Sequence, residues 1–237
     1  EALALLSGRK FQPWEGGEGQ VLEAWEEANL GLAREAQRAG DADAAVRLVE
    51  AALEPSPNLG EARHPLANTA HLDLALGDAL AAAGRIAPAE QAWERAGRAQ
   101  GDFVAMATTP YSERSVFSAI ALQRLGRFDE ARSLASAMRS WAEHRRAERA
   151  TIDYFATSLP TLLLFHEDLQ WRHELTCDVL IAQASMVLGE EASARSLVER
   201  VLHVDPSESF ARQMSEVLDA GRPINPPTTL IQTKEMT

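Results

Sequence analysis

Carboxylates, imidazoles and one thiol are the groups in this chain able to do chemistry, and their spacing limits what each could do. His166, Glu167, Asp168 and His173 form the densest run of potential metal ligands. A metal ion needs donors that converge in space, and residues seven apart on a helix share a face without reaching one ion. With neither a His-Glu-x-x-His pattern nor paired cysteines beside it, the run reads better as the acidic start of a helix, and no metal is assigned. Glu15, Glu18, Glu61, Asp153 and Glu167 could supply the carboxylate pair of glycoside chemistry, which requires two acids about 5 to 10 Å apart. Sequence brings no two of them together, and among 35 acidic residues the solvated surface is the expected place for each. The glycine-rich stretch from Trp14 to Gly19 invites a phosphate-binding reading, because backbone amides cradle anions. It lacks the Lys-Ser/Thr ending of a phosphate loop, and Glu15 and Glu18 would repel the ligand, so a turn or domain-contact loop anchored by Trp14 is expected. Cys177 lies inside an apolar helical pattern and reads as a small buried residue rather than a nucleophile. No Ser-His-Asp order or nucleophile elbow is found, so neither catalytic residue nor cofactor is assigned.

Composition narrows the partners further. The 237 residues are 46% hydrophobic, enough for a continuous core, and carry a formal charge of -12, which repels nucleic acid and the anionic face of a membrane. Neutral or basic partners fit better. Leu159 to Phe165 is far shorter than the roughly 20 apolar residues that span a bilayer, and the front of the chain lacks the pattern of a signal peptide. A lone cysteine calls for no oxidising compartment, and a cytoplasmic setting is expected.

The elements that must position these groups are helices. Ala and Leu dominate, and apolar residues recur at helical spacing, as in Leu72, Ala75, Leu76, Ala79 and Leu80. Four frames repeat along the chain: Gly40-Asp41 with Ala45, Val49 and Ala52; Gly84-Arg85 with Ala89, Trp93 and Ala96; Gly126-Arg127 with Ala131 and Met138; and Gly189-Glu190 with Ala194, Val198 and Val201. Each reads as a helix end, a left-handed glycine and a second helix whose small Ala permits close packing. No substantial sheet is expected.

These frames resemble the tetratricopeptide pattern, most closely through Leu76-Gly77, Gly84, Ala89, Trp93 and Ala96, with Pro57 and Pro206 in register after the first and fourth copies. Asp73 and Leu80 stand where Trp and Tyr are usual, and Ala135 fills a large position in the third copy. The repeats are therefore degenerate. Their glycines lie 44, 42 and 63 residues apart (84 less 40, 126 less 84, 189 less 126), against about 34 for tandem units. Insertions must separate the pairs. The first, with Pro55, Pro57, Asn58 and Gly60, and the second, with Gly101-Asp102 and Thr108-Thr109-Pro110, are expected to be loops. The third follows Met138, where Arg139 to Ala150 lengthens a helix and Pro160 breaks the stretch from Asp153 to Phe165. Leu5-Leu6-Ser7-Gly8-Arg9 looks like a further helix end with its turn. Residues 1–221 thus read as an all-α, tetratricopeptide-like α-solenoid of about four degenerate helix pairs with long loops, and 222–237 as an extended Pro-rich tail.

The segments Phe11 to Gly19, Asn58-Leu59-Gly60-Glu61 and Asp153 to Pro160 resemble those of a bacterial family in which a tetratricopeptide-like region follows a mutarotase-like β-sandwich domain of unknown function. That resemblance implies a domain upstream of Glu1 and a link to carbohydrate through the parent protein. In tetratricopeptide arrays the first helix of each pair lines the concave face, which by resemblance assigns Arg34, Gln37, His71, Asp78, Gln123 and Gln183 to an interaction surface. Trp14, Glu15, Glu18, Asp153 and Tyr154 are the expected domain-contact residues. The expected function is non-catalytic docking of a protein or of an adjacent domain. The alternatives are a helical accessory part of a carbohydrate-processing enzyme and an architectural oligomerisation domain.

Overall fold

A computed structural model describes residues 1–12, 17, 19–104, 107–150 and 168–220. Among them it forms ten helices: α1 (Ala2–Gly8), α2 (Gln20–Arg38), α3 (Ala42–Leu53), α4 (Ala70–Ala82), α5 (Ile86–Arg98), α6 (Ser115–Arg124), α7 (Phe128–Arg146), α8 (Leu169–Leu188), α9 (Glu191–Val204) and α10 (Ser209–Asp219). The described residues are all-α apart from one small hairpin.

The four repeat glycines perform the same local task. Gly40, Gly84, Gly126 and Gly189 have φ between 74° and 79°, a left-handed conformation that costs a side-chain-bearing residue energy. Each donates its amide to a carbonyl three residues back, and the next residue donates to one five back, as in Gly84 N to Ala81 O (3.0 Å) and Arg85 N to Leu80 O (2.8 Å). The spare carbonyls of the first helix are thereby satisfied and the chain reverses directly into the second. Five residues after each glycine, Ala45, Ala89, Ala131 and Ala194 are fully buried. Ala89 sits among Ala33, Val46, Leu76 and Ala79. Ala89→Leu is expected to over-pack this crossing and cost about 2 kcal/mol in urea denaturation; an unchanged midpoint would place Ala89 outside the crossing.

Consecutive helices pack on one another, giving the pairs α2–α3, α4–α5, α6–α7 and α8–α9, and each second helix also packs on the first helix of the next pair. The even-numbered helices make a further set of contacts, α2 with α4, α4 with α6, α6 with α8 and α8 with α10. Among the described residues no two odd-numbered helices touch to a comparable extent. One layer is therefore continuous, and the other is a row of separate helices laid against it.

Two sequence expectations change. The second insertion contains antiparallel strands β1 (Asp102–Val104) and β2 (Ala107–Thr109), with Phe103 opposite Thr108; the β-branched Val104, Thr108 and Thr109 favour extended backbone. At the front, Gly8 closes α1 and Arg9 is extended (φ -123°, ψ 153°), so the Gly-Arg pair there is not a copy of the repeat turn. Helix α1 instead seats Leu6 against Trp25 and Leu59. The 222–237 tail lies outside the described residues, as does most of the third insertion.

Candidate binding site at the first turn of helix α6

The first two insertions meet beside the starts of α4 and α6. Asp102, buried at the head of the hairpin, accepts hydrogen bonds from the backbone amides of Asn68 (2.8 Å) and Phe103 (2.8 Å) and from Ser112 Oγ (2.6 Å). Asn68 Nδ2 donates to Gly101 O (2.9 Å), and Asn68 Oδ1 accepts from Ala70 N (2.9 Å). A buried carboxylate with three donors is satisfied, so this lock fixes where α4 and α6 begin. A cavity of about 310 Å³ lies beside it, lined by Pro65 to Thr69, Ala99 to Asp102, Thr108 and Thr109.

Close by, a second buried carboxylate ties three elements together. Glu26 of α2 has a side chain only 4% exposed. Its Oε1 accepts from Arg63 Nη2 (2.7 Å) and Nε (3.1 Å), and its Oε2 lies 3.0 Å from His71 Nε2 of α4 and 3.7 Å from Arg114 Nη2. Arg63 also donates to Leu53 O (2.7 Å) and Ala52 O (2.9 Å), the carbonyl end of α3, where positive charge is favoured. Desolvation pushes the Glu26 carboxyl up, but the His71 and Arg63 hydrogen bonds and the Arg114 charge outweigh it and hold the group below the ordinary 4.5. A carboxylate only accepts, so His71 Nε2 donates to it, and the other ring nitrogen is Nδ1. That Nδ1 is buried without a partner.

Aromatic rings continue the site. His71 lies 6.0 Å from the Phe117 ring of α6, and Phe117 lies 6.5 Å from Phe210 of α10. Across α6, Gln183 of α8 donates Nε2 to Glu113 O (3.0 Å). A carbonyl only accepts, so the amide orientation is fixed, and Gln183 Oε1 is left as a buried acceptor with no partner. Glu208 caps α10 by accepting from Phe210 N and Ala211 N.

Glu113, half-buried at the start of α6, is the strained charge of the site. Burial first, and then the negative charges of Glu208 and Asp102, push its carboxyl above 4.5; its own backbone amide and the Arg114 charge oppose them. A carboxyl raised on folding stabilises the fold fully below its unfolded pKa, and that contribution is lost as pH rises through the folded value. Glu113→Gln is therefore expected to be more stable than the parent at pH 7, with the gap closing towards pH 4. Paired urea titrations at the two pH values check this; a Gln variant weaker at pH 7 would reverse the sign.

The residues assigned from sequence divide sharply. Arg34 and Gln37 are exposed on α2, whereas His71 belongs to the site itself. Asp78 is half-buried and accepts from Trp93 Nε1 (3.0 Å) and Arg124 Nε (2.9 Å), so it braces α4 against α5 and α6. Gln123 and Gln183 are 6% and 2% exposed, so neither presents an open surface. Trp14, Glu15, Glu18, Asp153 and Tyr154 lie outside the described residues, as do His166 and Glu167. Of the remaining chemical groups, Glu61 accepts from Gly19 N (3.1 Å), and Asp168 caps α8 through Trp171 N (3.1 Å). His173 Nε2 lies 2.6 Å from Arg145 O. Cys177 is buried, which pushes its thiol up to about 11 and suppresses the reactive thiolate. Among the described residues no three His, Cys, Asp or Glu side chains are grouped to hold a metal ion, and no helix is long and apolar enough to cross a membrane.

Sequence reasoning missed Glu26, Arg63, Glu113, Arg114, Phe117 and Phe210. A polar signal was present nearby, because the residue eleven before each repeat glycine, Asn29, Asp73, Ser115 and Asp178, is polar and buried in all four pairs. Asp73 holds Arg95 (2.8 Å), and Asp178 holds Arg146 (2.8 Å) and Arg200 (3.3 Å).

Fold and site define an all-α protein of successive helix pairs with a polar and aromatic cluster on the continuous layer. No family model matches the chain, and no solved structure matches it.

Proposed function

We propose that the chain is a tetratricopeptide-like α-solenoid that works as a docking module, holding a protein partner or an adjacent domain of the same polypeptide on its even-numbered helices. The observation that carries this reading is the contact of each even-numbered helix with the next, from α2 to α10, while among the described residues no two odd-numbered helices touch to a comparable extent. Such a layer is a preformed surface, and docking on it avoids the cost of ordering a loop. Ion pairs between pairs, such as Arg124 of α6 with Asp78 of α4, tie the helices of this layer together. The chemistry at hand also suits binding: the thiol is buried, and Asp78 is used to hold helices together. A cytoplasmic setting is part of the proposal and fits a chain with a single cysteine.

Selection of a displayed random-peptide library against the full chain tests the reading. Enriched peptides are expected to lose about tenfold in affinity on an Arg34→Glu, Phe117→Leu background, which alters α2 and α6, by loss of contacts each worth about 1 kcal/mol or more. Ile86→Ser, an exposed change on α5, is expected to leave them unchanged. Failure to enrich any peptide, or sensitivity to Ile86→Ser alone, would overturn the proposal.

A further inference from the structure

The hairpin of the second insertion leaves one strand edge open. Its register pairs Asp102 with Thr109, Phe103 with Thr108 and Val104 with Ala107, and along an antiparallel ladder pairs that exchange hydrogen bonds alternate with pairs that do not. Phe103 N donates to Asp102 Oδ1 (2.8 Å), so its amide faces away from β2 and the Phe103–Thr108 pair is of the second kind. The amide and carbonyl of Thr108 therefore point outward from β2. Among the described residues neither meets a backbone partner outside the hairpin, and Thr108 is exposed.

The two edges differ. Along β1 the first insertion is already in place: Asn68 N donates to the same Asp102 Oδ1, and His64 stacks on Phe103 with ring centroids 3.8 Å apart. Among the described helices and strands, only β1 packs on β2 to a comparable extent. An unpaired amide and carbonyl on a strand edge are what an extended segment pairs with.

The cavity of about 310 Å³ supplies the other half of a site. Thr108 and Thr109 line it together with Pro65, Leu66, Ala67 and Ala99, so the residue that carries the open edge is also part of the cavity wall. Leu66 is 58% exposed, which leaves this apolar wall open to solvent. The one charged side chain in the lining is Asp102, which already accepts from Asn68 N, Phe103 N and Ser112 Oγ. A charged group entering here would lose water without gaining a counter-charge, so the lining selects an uncharged side chain. Asn68 and Thr69 lead directly into α4, which puts the cavity at the edge of the even-numbered layer.

We infer that β2 takes an extended, uncharged segment of the docked protein as a third strand, with main-chain groups of the segment bonded to Thr108 and an aliphatic side chain in the cavity. The inference rests on the docking reading and deepens it by naming the form and chemistry of what is held.

Acetyl-Thr-Thr-Val-Thr-Thr-amide is the probe, titrated into the ¹⁵N-labelled full chain to the millimolar concentrations at which short peptides bind. It is expected to shift the Thr108 amide resonance and to slow its hydrogen exchange. The fully N-methylated peptide, which cannot donate, and the form with Glu in place of Val are expected to bind at least about tenfold more weakly. Thr108→Pro removes the edge donor at a position where an edge strand tolerates proline, and is expected to weaken the probe about tenfold. Ala67→Leu fills the cavity without touching the hairpin and is expected to do the same, whereas Glu90→Gln, an exposed change on α5, leaves affinity unchanged. No binding, equal binding of the N-methylated peptide, an unshifted Thr108, or full affinity in Ala67→Leu would overturn the inference. A Thr108 resonance that moves with protein concentration alone would assign the edge to a second copy and overturn it too. Library peptides that depend on α2 and α6 yet leave Thr108 unshifted would overturn it while the docking reading stands; an empty selection would remove the docking reading itself.

Discussion

Glu26→Ala is expected to cost about 3 kcal/mol of folding stability, because removing one member of a buried ionic cluster strands the others without compensation. Arg63 would keep its two α3 carbonyls, but its bonds to Glu26 at 2.7 and 3.1 Å vanish, and His71 loses the acceptor that orients its ring. Urea denaturation measures the loss directly. A pH series adds a second signature. The folded pKa of Glu26 is depressed, so its contribution is present above about 4.5 and disappears as pH falls through the folded value. The parent should lose this stability in acid, and the variant should lack that part of the slope. A variant within about 0.5 kcal/mol of the parent, the range of ordinary surface changes, would show that Glu26 does not join α2, α4 and the first insertion.

Gly77→Ala is expected to be nearly as damaging, at about 3 kcal/mol, the upper end for over-packing. A methyl group at Gly77 would sit 2.4 Å from two atoms of the Trp93 ring, far inside contact distance. The ring cannot back away cheaply, because its Nε1 donates to Asp78 (3.0 Å), and Asp78 also holds Arg124. One methyl group therefore disturbs the α4–α5 crossing and its brace to α6 together. Denaturation should show the loss, and tryptophan fluorescence should report a changed Trp93 environment. A stable variant with unchanged emission would mean that Trp93 does not lie over Gly77.

Those two positions show what could be read in advance. Gly77 and Trp93 sit in the best-formed repeat, and local periodicity was enough to place them on adjoining helices, since each frame spans few residues and makes the same turn. Glu26, Arg63, His71 and Arg114 offer no such pattern. They stand on four separate elements and meet where Asn68 joins the two insertions through Gly101 and Asp102. The assignment of Gln123 and Gln183 by helical position reached the right helices, yet burial depends on how the neighbouring helices close over them, which no period records. Asp73 looked like a departure from the repeat; together with Asn29, Ser115 and Asp178 it is the regular polar position of this chain, held in two pairs by arginines. Phe210 went unassigned because it lies beyond the last glycine frame, on α10.

Hydrogen exchange of the full chain with and without a selected peptide tests the central claim most directly. Docking on the continuous layer predicts new protection in α4, α6 and α8, strongest at the first turn of α6, with α5, α7 and α9 unchanged. Protection concentrated on the odd-numbered helices, with none at α6, would contradict it.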